Sequence, residues 1–161
     1  MIGFIARLLG RAEPVLSEAG PRDAASFAAV HAASFRRGWS EDELERLLIE
    51  RNVSAHRATI GRNTIGFILS RIAADEAEIL SVAVAASHRG GGIAGRLLDL
   101  HLRRLAGLGV RTVFLEVDSD NVPARRLYAR ALFREAGERD AYYPRANGAA
   151  AAALVLRRDL A

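Results

Sequence analysis

The sequence contains no cysteine and no lysine, and these two absences exclude several classes of protein. Without cysteine the chain has no disulfide framework, no thiolate metal site and no cysteine nucleophile, and the redox compartment stays open. Without lysine it cannot carry the Gly-Lys-Ser/Thr element of a P-loop. All 23 basic residues are therefore arginine.

Aromatic residues are scarce, at 6% of the chain, and the arginines are scattered among acids, so the net charge of +4 does not indicate a nucleic-acid surface. The opening run MIGFIARLLG is too short to span a bilayer and lacks the marks of a signal peptide. We therefore expect no nucleic-acid partner, no membrane partner and a cytoplasmic location. The basic surface suits a highly anionic small molecule, and the oligomeric state, monomer or weak dimer, is left open.

The length of 161 residues predicts a single α/β domain over 1–161, in which 1–13 form a possible extra N-terminal segment. Apolar periodicity and turn residues predict an antiparallel meander followed by two crossover helices. Pro21 starts the first helix, and Ser40 with Glu43 forms a capping box for the second. The predicted strands are 14–18, 53–60, 64–72, 77–84, 110–118, 133–139 and 151–157, and the helical segments are 21–35, 40–51, 92–108 and 119–133.

A glycine-rich turn joins the strand that ends at Val84 to the next helix. Its glycines let backbone N–H groups approach an anion, and the first turn of the helix adds unpaired donors and the positive end of its dipole. The stretch therefore predicts a phosphate cradle. Its glycines are Gly90, Gly91, Gly92 and Gly95.

A Rossmann dinucleotide loop is the main alternative, because Gly90, Gly92 and Gly95 match G-x-G-x-x-G and Glu116 lies about 20 residues further on. The context differs, since the first glycine of that loop follows its strand directly. In this chain 85–89 intervene, and too few residues follow Asp118 for the rest of a dinucleotide fold.

Read as R-x-x-G-x-A, with Arg89, Gly92 and Ala94, the loop resembles the acyl-CoA loop of the GNAT N-acetyltransferases. The resemblance implies a GNAT fold: a mixed, mostly antiparallel sheet of six or seven strands with about four helices. It also implies that two parallel strands splay apart, so that acetyl-CoA binds between them as co-substrate. No metal is implied.

The run LEVDSDNVPARRLY, with Glu116, Asn121, Ala124, Leu127 and Tyr128, is similar to a segment of ribosomal-protein alanine N-acetyltransferases of the RimI type. That resemblance covers roughly 14–158. It implies acetylation of a protein N-terminus, the N-terminal alanine of small-subunit ribosomal protein eighteen. A GNAT enzyme acting on a small amine or a lysine side chain, and a non-catalytic acyl-CoA binding module, remain alternatives.

Amine acetylation needs a base for the amine and an acid for the leaving thiolate. Glu116, at the end of its strand, is the candidate base and Tyr128 the candidate acid, while Glu78 is a second candidate base. The Val84 N–H is the expected oxyanion donor. The expected cofactor-binding residues are Val82, Ala83, Val84, Arg89, Gly90, Gly91, Gly92, Ile93, Ala94, Gly95 and Asn121, and the expected acceptor-binding residues are Trp39, Tyr142 and Tyr143.

Three positions depart from the family pattern. Leu132 stands where a glycine is usual before Phe133, Gly38 replaces a frequent proline before Trp39, and 150–152 are alanines where acidic residues are frequent. The first departure concerns the end of a helix, and the last weakens the expectation of a basic acceptor peptide.

Overall fold

The computed structural model describes residues 12–35, 37–144 and 150–160, with the side chains of 138–151 outside the description. Its centre is a seven-stranded sheet in the order β1-β2-β3-β4-β5-β7-β6. The strands are β1 (Val15–Glu18), β2 (Val53–Ile60), β3 (Asn63–Ala73), β4 (Glu76–Val84), β5 (Thr112–Asp118), β6 (Arg134–Pro144) and β7 (Ala150–Asp159).

Four α-helices connect these strands, and capping interactions and short turns mark where they begin. The Ser40 hydroxyl accepts from the Glu43 N–H while the Glu43 carboxylate accepts from the Ser40 N–H, which confirms the capping box. Single 3-10 turns at Pro21–Asp23 and Ala86–His88 precede the first and third helices. The helices are α1 (Ala24–Ser34), α2 (Glu41–Ile49), α3 (Ile93–Gly107) and α4 (Val122–Arg130).

The sheet topology confirms the predicted meander and crossover. Strands β1 to β4 pair antiparallel in chain order, and β5 pairs parallel with β4 after the α3 crossover. The sequence did not predict the positions of the last two strands in the sheet. β7 lies between β5 and β6 and is antiparallel to both. Apolar periodicity fixes that a segment is a strand, but it does not fix which neighbour the strand pairs with.

The two faces of the sheet carry separate hydrophobic clusters. On one face α3 and α4 pack against the sheet around Ile79, Leu97 and Leu115. On the other face α1 and α2 pack around Phe27 and Phe67, whose rings stack with centroids 4.3 Å apart. We call these the α3/α4 face and the α1/α2 face.

Two expectations about aromatic residues are corrected or refined. Tyr142 and Tyr143 were expected in a loop, but their backbone belongs to β6, whose register with β7 breaks between Arg139 and Tyr143. Trp39 lies in the α1–α2 connection as expected, where it stacks on His31 at 5.0 Å between ring centroids and donates its backbone N–H to His31 Nδ1 at 3.0 Å.

A buried polar chain links α3 to the middle of the sheet. His101 Nδ1 lies 2.7 Å from His56 Nδ1, and His101 Nε2 lies 2.7 Å from Ser70 Oγ. Burial, and then the neighbouring His56 imidazole, lowers the pKa of His101 to about 3. Burial also lowers the pKa of His56, opposed by Glu18 and reinforced by Arg104. The folded protein therefore holds both imidazoles neutral.

The free energy of unfolding is expected to fall on acidification because of the hydrogen-bonded row formed by His56, His101 and Ser70. The pKa of His101 is about 3 in the fold and about 6.5 in the unfolded state, so between these values the unfolded state binds more protons. Its contribution is intact above pH 6.5 and is lost as the pH falls towards 3. Denaturant titrations at pH 7 and pH 5 should differ by about 2 kcal/mol in the free energy of unfolding through His101.

His101→Leu should be less stable at pH 7, because His56 and Ser70 lose their partner, and should show a flatter pH dependence. His88 lies outside the hydrogen bonds that join His56, His101 and Ser70, so His88→Ala should keep the steep pH dependence. Equal unfolding free energies of the parent protein at pH 7 and pH 5 would contradict the assignment.

Candidate active site

The parallel pair β4 and β5 separates halfway along its length. The two strands are in register from Glu76 opposite Thr112 to Ile79 opposite Leu115, and the pairing stops there. Leu80 is an extra residue on β4, since Ser70 faces Ile79 and Leu69 faces Ser81. Such a bulge bends its strand and increases the local twist. A gap therefore opens between the carboxyl halves of the two strands, as the resemblance predicted.

Backbone groups of β4 point into this gap. The Ala85 N–H donates to the Ile65 carbonyl across β3 at 2.8 Å, and hydrogen-bonding direction alternates along an antiparallel strand. Val84 and Val82 therefore direct their N–H and C=O groups away from β3, towards the side where β5 has diverged. The end of β4 thus offers strand-like hydrogen bonding to an extended ligand.

The glycine-rich turn after β4 ends at a helix start that lacks a side-chain cap. Gly92, the N-cap of α3, has φ of +81°, and Gly90 has φ of +82°, a conformation that favours glycine. The first α3 hydrogen bond runs from the Arg96 N–H to the Gly92 carbonyl. The amides from Gly92 to Gly95 precede it and are available to a ligand, which is the arrangement that binds phosphate.

A cleft of about 1010 Å³ runs from the end of β4 along α3 to α4. Most of the expected cofactor-binding residues line it, namely Val82, Ala83, Val84, Arg89, Gly90, Gly92, Ile93, Ala94 and Gly95. Gly91 and Asn121 are not among its lining residues. Sequence reasoning missed three arginines on its wall, Arg126, Arg130 and Arg158. The four-residue spacing of Arg126 and Arg130 within α4 was the signal that could have found two of them.

Arg89 connects the cleft to the opposite face of the sheet. Its Nε donates to the Val84 carbonyl at 2.9 Å, and its Nη2 donates to the Ser34 hydroxyl, on α1, at 3.2 Å. One oxygen in the gap is thereby hydrogen-bonded within the protein, while the Val84 N–H stays directed into the gap. The Arg89 side chain therefore fixes the end of β4 through hydrogen bonds within the protein.

The two candidate catalytic residues flank the gap from opposite faces. Tyr128, on α4, is buried in the α3/α4 cluster, lies edge-on to Phe133 at 5.7 Å between centroids, and lines the cleft. Glu116 follows Leu115, the last residue paired with β4, and belongs to the other face. A ligand in the gap would therefore meet the phenol on one side and the carboxylate on the other.

Glu78 shares a second groove with Glu116 on the α1/α2 face, with a volume of about 320 Å³. In the strand register Glu78 lies opposite Phe114, one step before the last β4–β5 pair. Glu116 lies one step beyond that pair. The position of Glu116 at the opening favours it over Glu78 as a base acting there.

The remaining expected residues are placed as follows. Asn121 caps α4, because its Oδ1 accepts from the Ala124 N–H at 3.2 Å, and its contact with a cofactor stays a prediction. Trp39 is half-buried against the α1/α2 cluster. For Tyr142 and Tyr143 the prediction of acceptor binding falls on side chains outside the described ones.

Two departures from the family pattern have structural counterparts. A Cβ at Gly38 would lie 3.0 Å from Ala32 Cα, a tight contact, so a side chain there would require a small shift of the connection or of α1. Leu132 has φ of +66° and follows the end of α4. The Leu132 N–H donates to the Ala129 carbonyl and the Phe133 N–H to the Tyr128 carbonyl, which is a Schellman motif with leucine at the glycine position.

Two features are absent from the described ranges. There, none of the helices has the length and apolar character to cross a bilayer. Within the same ranges no three histidine or acidic side chains come together in a way that would hold a metal ion.

The diverging parallel strands, with uncapped amides at their end, form a site suited to a phosphate-bearing molecule. The chain belongs to the acetyltransferase (GNAT) family, whose profile matches residues 24–132. This result, together with the sheet topology, confirms the fold that the sequence predicted and removes the Rossmann alternative.

Individual relatives fall into two groups. The chain is 35% identical over 92 residues to the ribosomal protein bS18-alanine N-acetyltransferase of Haemophilus influenzae, covering 57% of this chain and 62% of that protein. It is 31% identical over 110 residues to the Escherichia coli enzyme of the same name, covering 68% and 74%. It is also 39% identical over 75 residues to a mycothiol acetyltransferase of Streptomyces bingchenggensis, covering 45% of this chain and 24% of that protein.

The solved structure of the Escherichia coli ribosomal-protein-S18-alanine N-acetyltransferase superposes with a TM-score of 0.86. The superposition covers 92% of this chain and 95% of that one, at 23% identity. The overall fold is therefore shared nearly end to end.

Leu132→Gly should stabilise the protein. A left-handed conformation costs a non-glycine residue about 1–2 kcal/mol, and Leu132 is 73% exposed, so little packing is lost. After allowing for the greater unfolded-state entropy of glycine, we expect a gain of about 1 kcal/mol and a melting temperature about 2–4 °C higher. The measurement is a thermal melt.

Leu108→Gly is the matched control. Leu108 is also an exposed leucine after a helix, but its φ is −86°, so glycine relieves no strain there and should lower stability. An unchanged or lower melting temperature for Leu132→Gly would contradict the strain assigned to that position.

Proposed function

We propose that this protein is an acetyl-CoA-dependent N-acetyltransferase that modifies the N-terminal α-amine of a protein, the N-terminal alanine of ribosomal protein S18. The observation that carries this proposal is the gap between β4 and β5, with Tyr128 on one face and Glu116 on the other. A cytoplasmic location follows from such a target.

The cleft fits coenzyme A in size and in chemistry. Amides from Gly92 to Gly95 would hold the pyrophosphate at the positive end of α3. Val82 would hydrogen-bond the extended pantetheine arm through its backbone N–H and C=O, since the Val84 carbonyl already accepts from Arg89. The arginines on the cleft wall, Arg126, Arg130 and Arg158, add positive charge for the remaining phosphate. When bound, acetyl-CoA supplies the acetyl group as a thioester.

Glu116 would remove the proton that the acceptor amine must lose. An α-amine has a pKa near 7.7–8.0, so only a modest push from a base is needed at neutral pH. Glu116 lies where β5 leaves β4, on the α1/α2 face, and it would act directly or through a water molecule. The amine would thus approach from that face, away from the cofactor cleft.

Tyr128 and Val84 would serve the other half of the reaction. The nitrogen–carbon bond forms and the carbon–sulfur bond breaks, while one proton passes from the amine to Glu116 and one from Tyr128 to the departing thiolate. The thiolate, with a pKa near 8.5, is a better leaving group when a phenol protonates it. The Val84 N–H, directed into the gap, would donate to the carbonyl oxygen as negative charge develops there.

The relatives support an N-terminal alanine as acceptor, while the mycothiol acetyltransferase keeps a small amine as the second candidate. A lysine side chain is disfavoured by its chemistry. Its pKa near 10.4 lies over two units above that of an α-amine, so its neutral fraction at pH 7 is smaller by a factor of several hundred.

The acceptor prediction is tested with acetyl-CoA and a set of amines, with the product mapped by mass spectrometry. A peptide with the N-terminal sequence of ribosomal protein S18, beginning with alanine, should be acetylated at its α-amine. The same peptide with a blocked N-terminus and an internal lysine should not react. An acetyl group found on lysine, or only on a small amine such as a polyamine, would contradict the proposed acceptor but not the proposed acetyltransferase activity. Binding of acetyl-CoA without turnover of any amine would favour the binding module.

The catalytic pair is tested with two conservative variants. Tyr128→Phe should lower kcat about 10²-fold and leave the KM for acetyl-CoA unchanged, because the hydroxyl acts only as the thiolate leaves. Glu116→Gln should lower the rate at pH 7 and shift the pH–rate profile towards alkaline values. Glu78→Gln is the comparison for the base: if it is impaired while Glu116→Gln is not, Glu78 is the base. Full activity of all three variants at pH 7 would refute the acid–base assignment.

A further inference from the structure

Leu132, which follows the end of α4, combines features that packing within the protein does not explain. Its φ of +66° is a left-handed conformation, which strains residues other than glycine. Its side chain is 73% exposed and belongs to neither hydrophobic cluster. It also lines the cleft that runs from the end of β4 to α4. Strained residues of this kind are concentrated at ligand-binding sites.

The contact between α3 and α4 relates Leu132 to the phosphate cradle. A Cβ built on Gly95, in the cradle, would lie 3.9 Å from Leu127 Cδ1 on α4, so the cradle adjoins that helix. Leu132 is five residues further along the chain, which corresponds to roughly 7.5 Å at the rise of an α-helix. A nucleoside attached to a pyrophosphate in the cradle can reach that far along α4.

This end of the cleft combines apolar and basic side chains. Nη1 of Arg158 donates to the Ala131 carbonyl at 2.8 Å, which fixes the turn that carries Leu132. The acid on the wall, Asp99, is paired with Arg103 at 2.8 Å. An adenosine phosphate has the matching chemistry, because it joins a flat base with apolar faces to an anion that arginine binds well. The apolar side chains are Leu102, Leu127, Ala131 and Leu132, and the arginines are Arg126, Arg130 and Arg158.

We infer that Leu132 packs against the adenine base of coenzyme A and so determines how tightly the nucleoside end of the cofactor is held. The bound base would cover a leucine that is otherwise exposed, at a position where glycine would be unstrained. This inference rests on the proposed acetyltransferase function through its cofactor, and it concerns binding alone. Leu132 takes no part in bond making, proton transfer or recognition of the acceptor.

The first test is isothermal titration calorimetry of coenzyme A with the parent protein and with Leu132→Ala. Alanine keeps the left-handed strain but removes most of the apolar contact. The Kd for coenzyme A should therefore rise about fivefold, as expected when part of a leucine side chain is no longer covered. Leu132→Met, which conserves the side-chain volume, should keep a Kd close to that of the parent.

A truncated co-substrate identifies the part of the cofactor that Leu132 contacts. The kcat/KM for acetyl-CoA should fall about fivefold in Leu132→Ala. With acetyl-4′-phosphopantetheine, which lacks the adenosine phosphate, the parent protein and Leu132→Ala should have the same kcat/KM. An equal loss with both co-substrates would overturn the assigned contact with adenine.

Thermal melts separate the loss of a ligand contact from damage to the fold. Leu132→Gly should melt higher than the parent without ligand, yet the same concentration of coenzyme A should raise its melting temperature by less. Leu108→Gly is the matched control, because this exposed leucine is not among the described residues that line the cleft. It should melt lower than the parent but bind coenzyme A with the parent's Kd.

The outcomes distinguish this inference from the proposed function. If the parent protein binds no coenzyme A, both fail. If it binds coenzyme A but acetylates no amine, the proposed function fails, while a higher Kd in Leu132→Ala still supports the contact with adenine. A parent-like Kd in both Leu132→Ala and Leu132→Gly would overturn the role of Leu132 and leave the proposed function unaffected.

Discussion

The separation of β4 from β5 after a short parallel pairing is the constraint on which the rest of the site depends. The pairing holds only from Glu76 to Ile79, and the bulge at Leu80 directs the remainder of β4 away from its neighbour. A continued ladder would have consumed the backbone groups of Val82 and Val84. Because the ladder stops, β4 keeps strand-like hydrogen bonding for a ligand, and the uncapped start of α3 follows at its end.

The two hydrophobic clusters hold this opening in shape and also divide its functions. Helices α3 and α4 anchor the phosphate cradle and Tyr128 on one face, while α1 and α2 support the face that carries Glu116 and Ser81. The Arg89 side chain joins the two sides, since it hydrogen-bonds Val84 at the gap and Ser34 on α1. In the proposed reaction, a sheet with separately packed faces would allow two ligands to meet through a single gap without sharing an entrance.

The sequence was sufficient for most of the elements and for the cradle, because these depend on local chemistry. The capping box at Ser40, the glycines of the turn and the apolar periods of β2 to β5 each act over a few residues. It was insufficient where distant segments meet. The position of β7 between β5 and β6, the chain from Ser70 through His101 to His56, and Arg158 on the cleft wall all depend on tertiary pairing. For Tyr142 and Tyr143 the prediction was wrong, since the predicted strand ends at residue 139 although β6 continues to Pro144.

Two local features of the fold work against its stability. The left-handed Leu132 and the buried hydroxyl of Ser81 each oppose folding by about 1–3 kcal/mol, against a total stability of about 5–15 kcal/mol. Glycine would relieve the strain at Leu132, but the leucine side chain lines the cofactor cleft next to α4. The Ser81 hydroxyl is enclosed on the α1/α2 face of β4, and no described residue completes its hydrogen bonding. Each cost is a fraction of the total stability, and the fold therefore tolerates both.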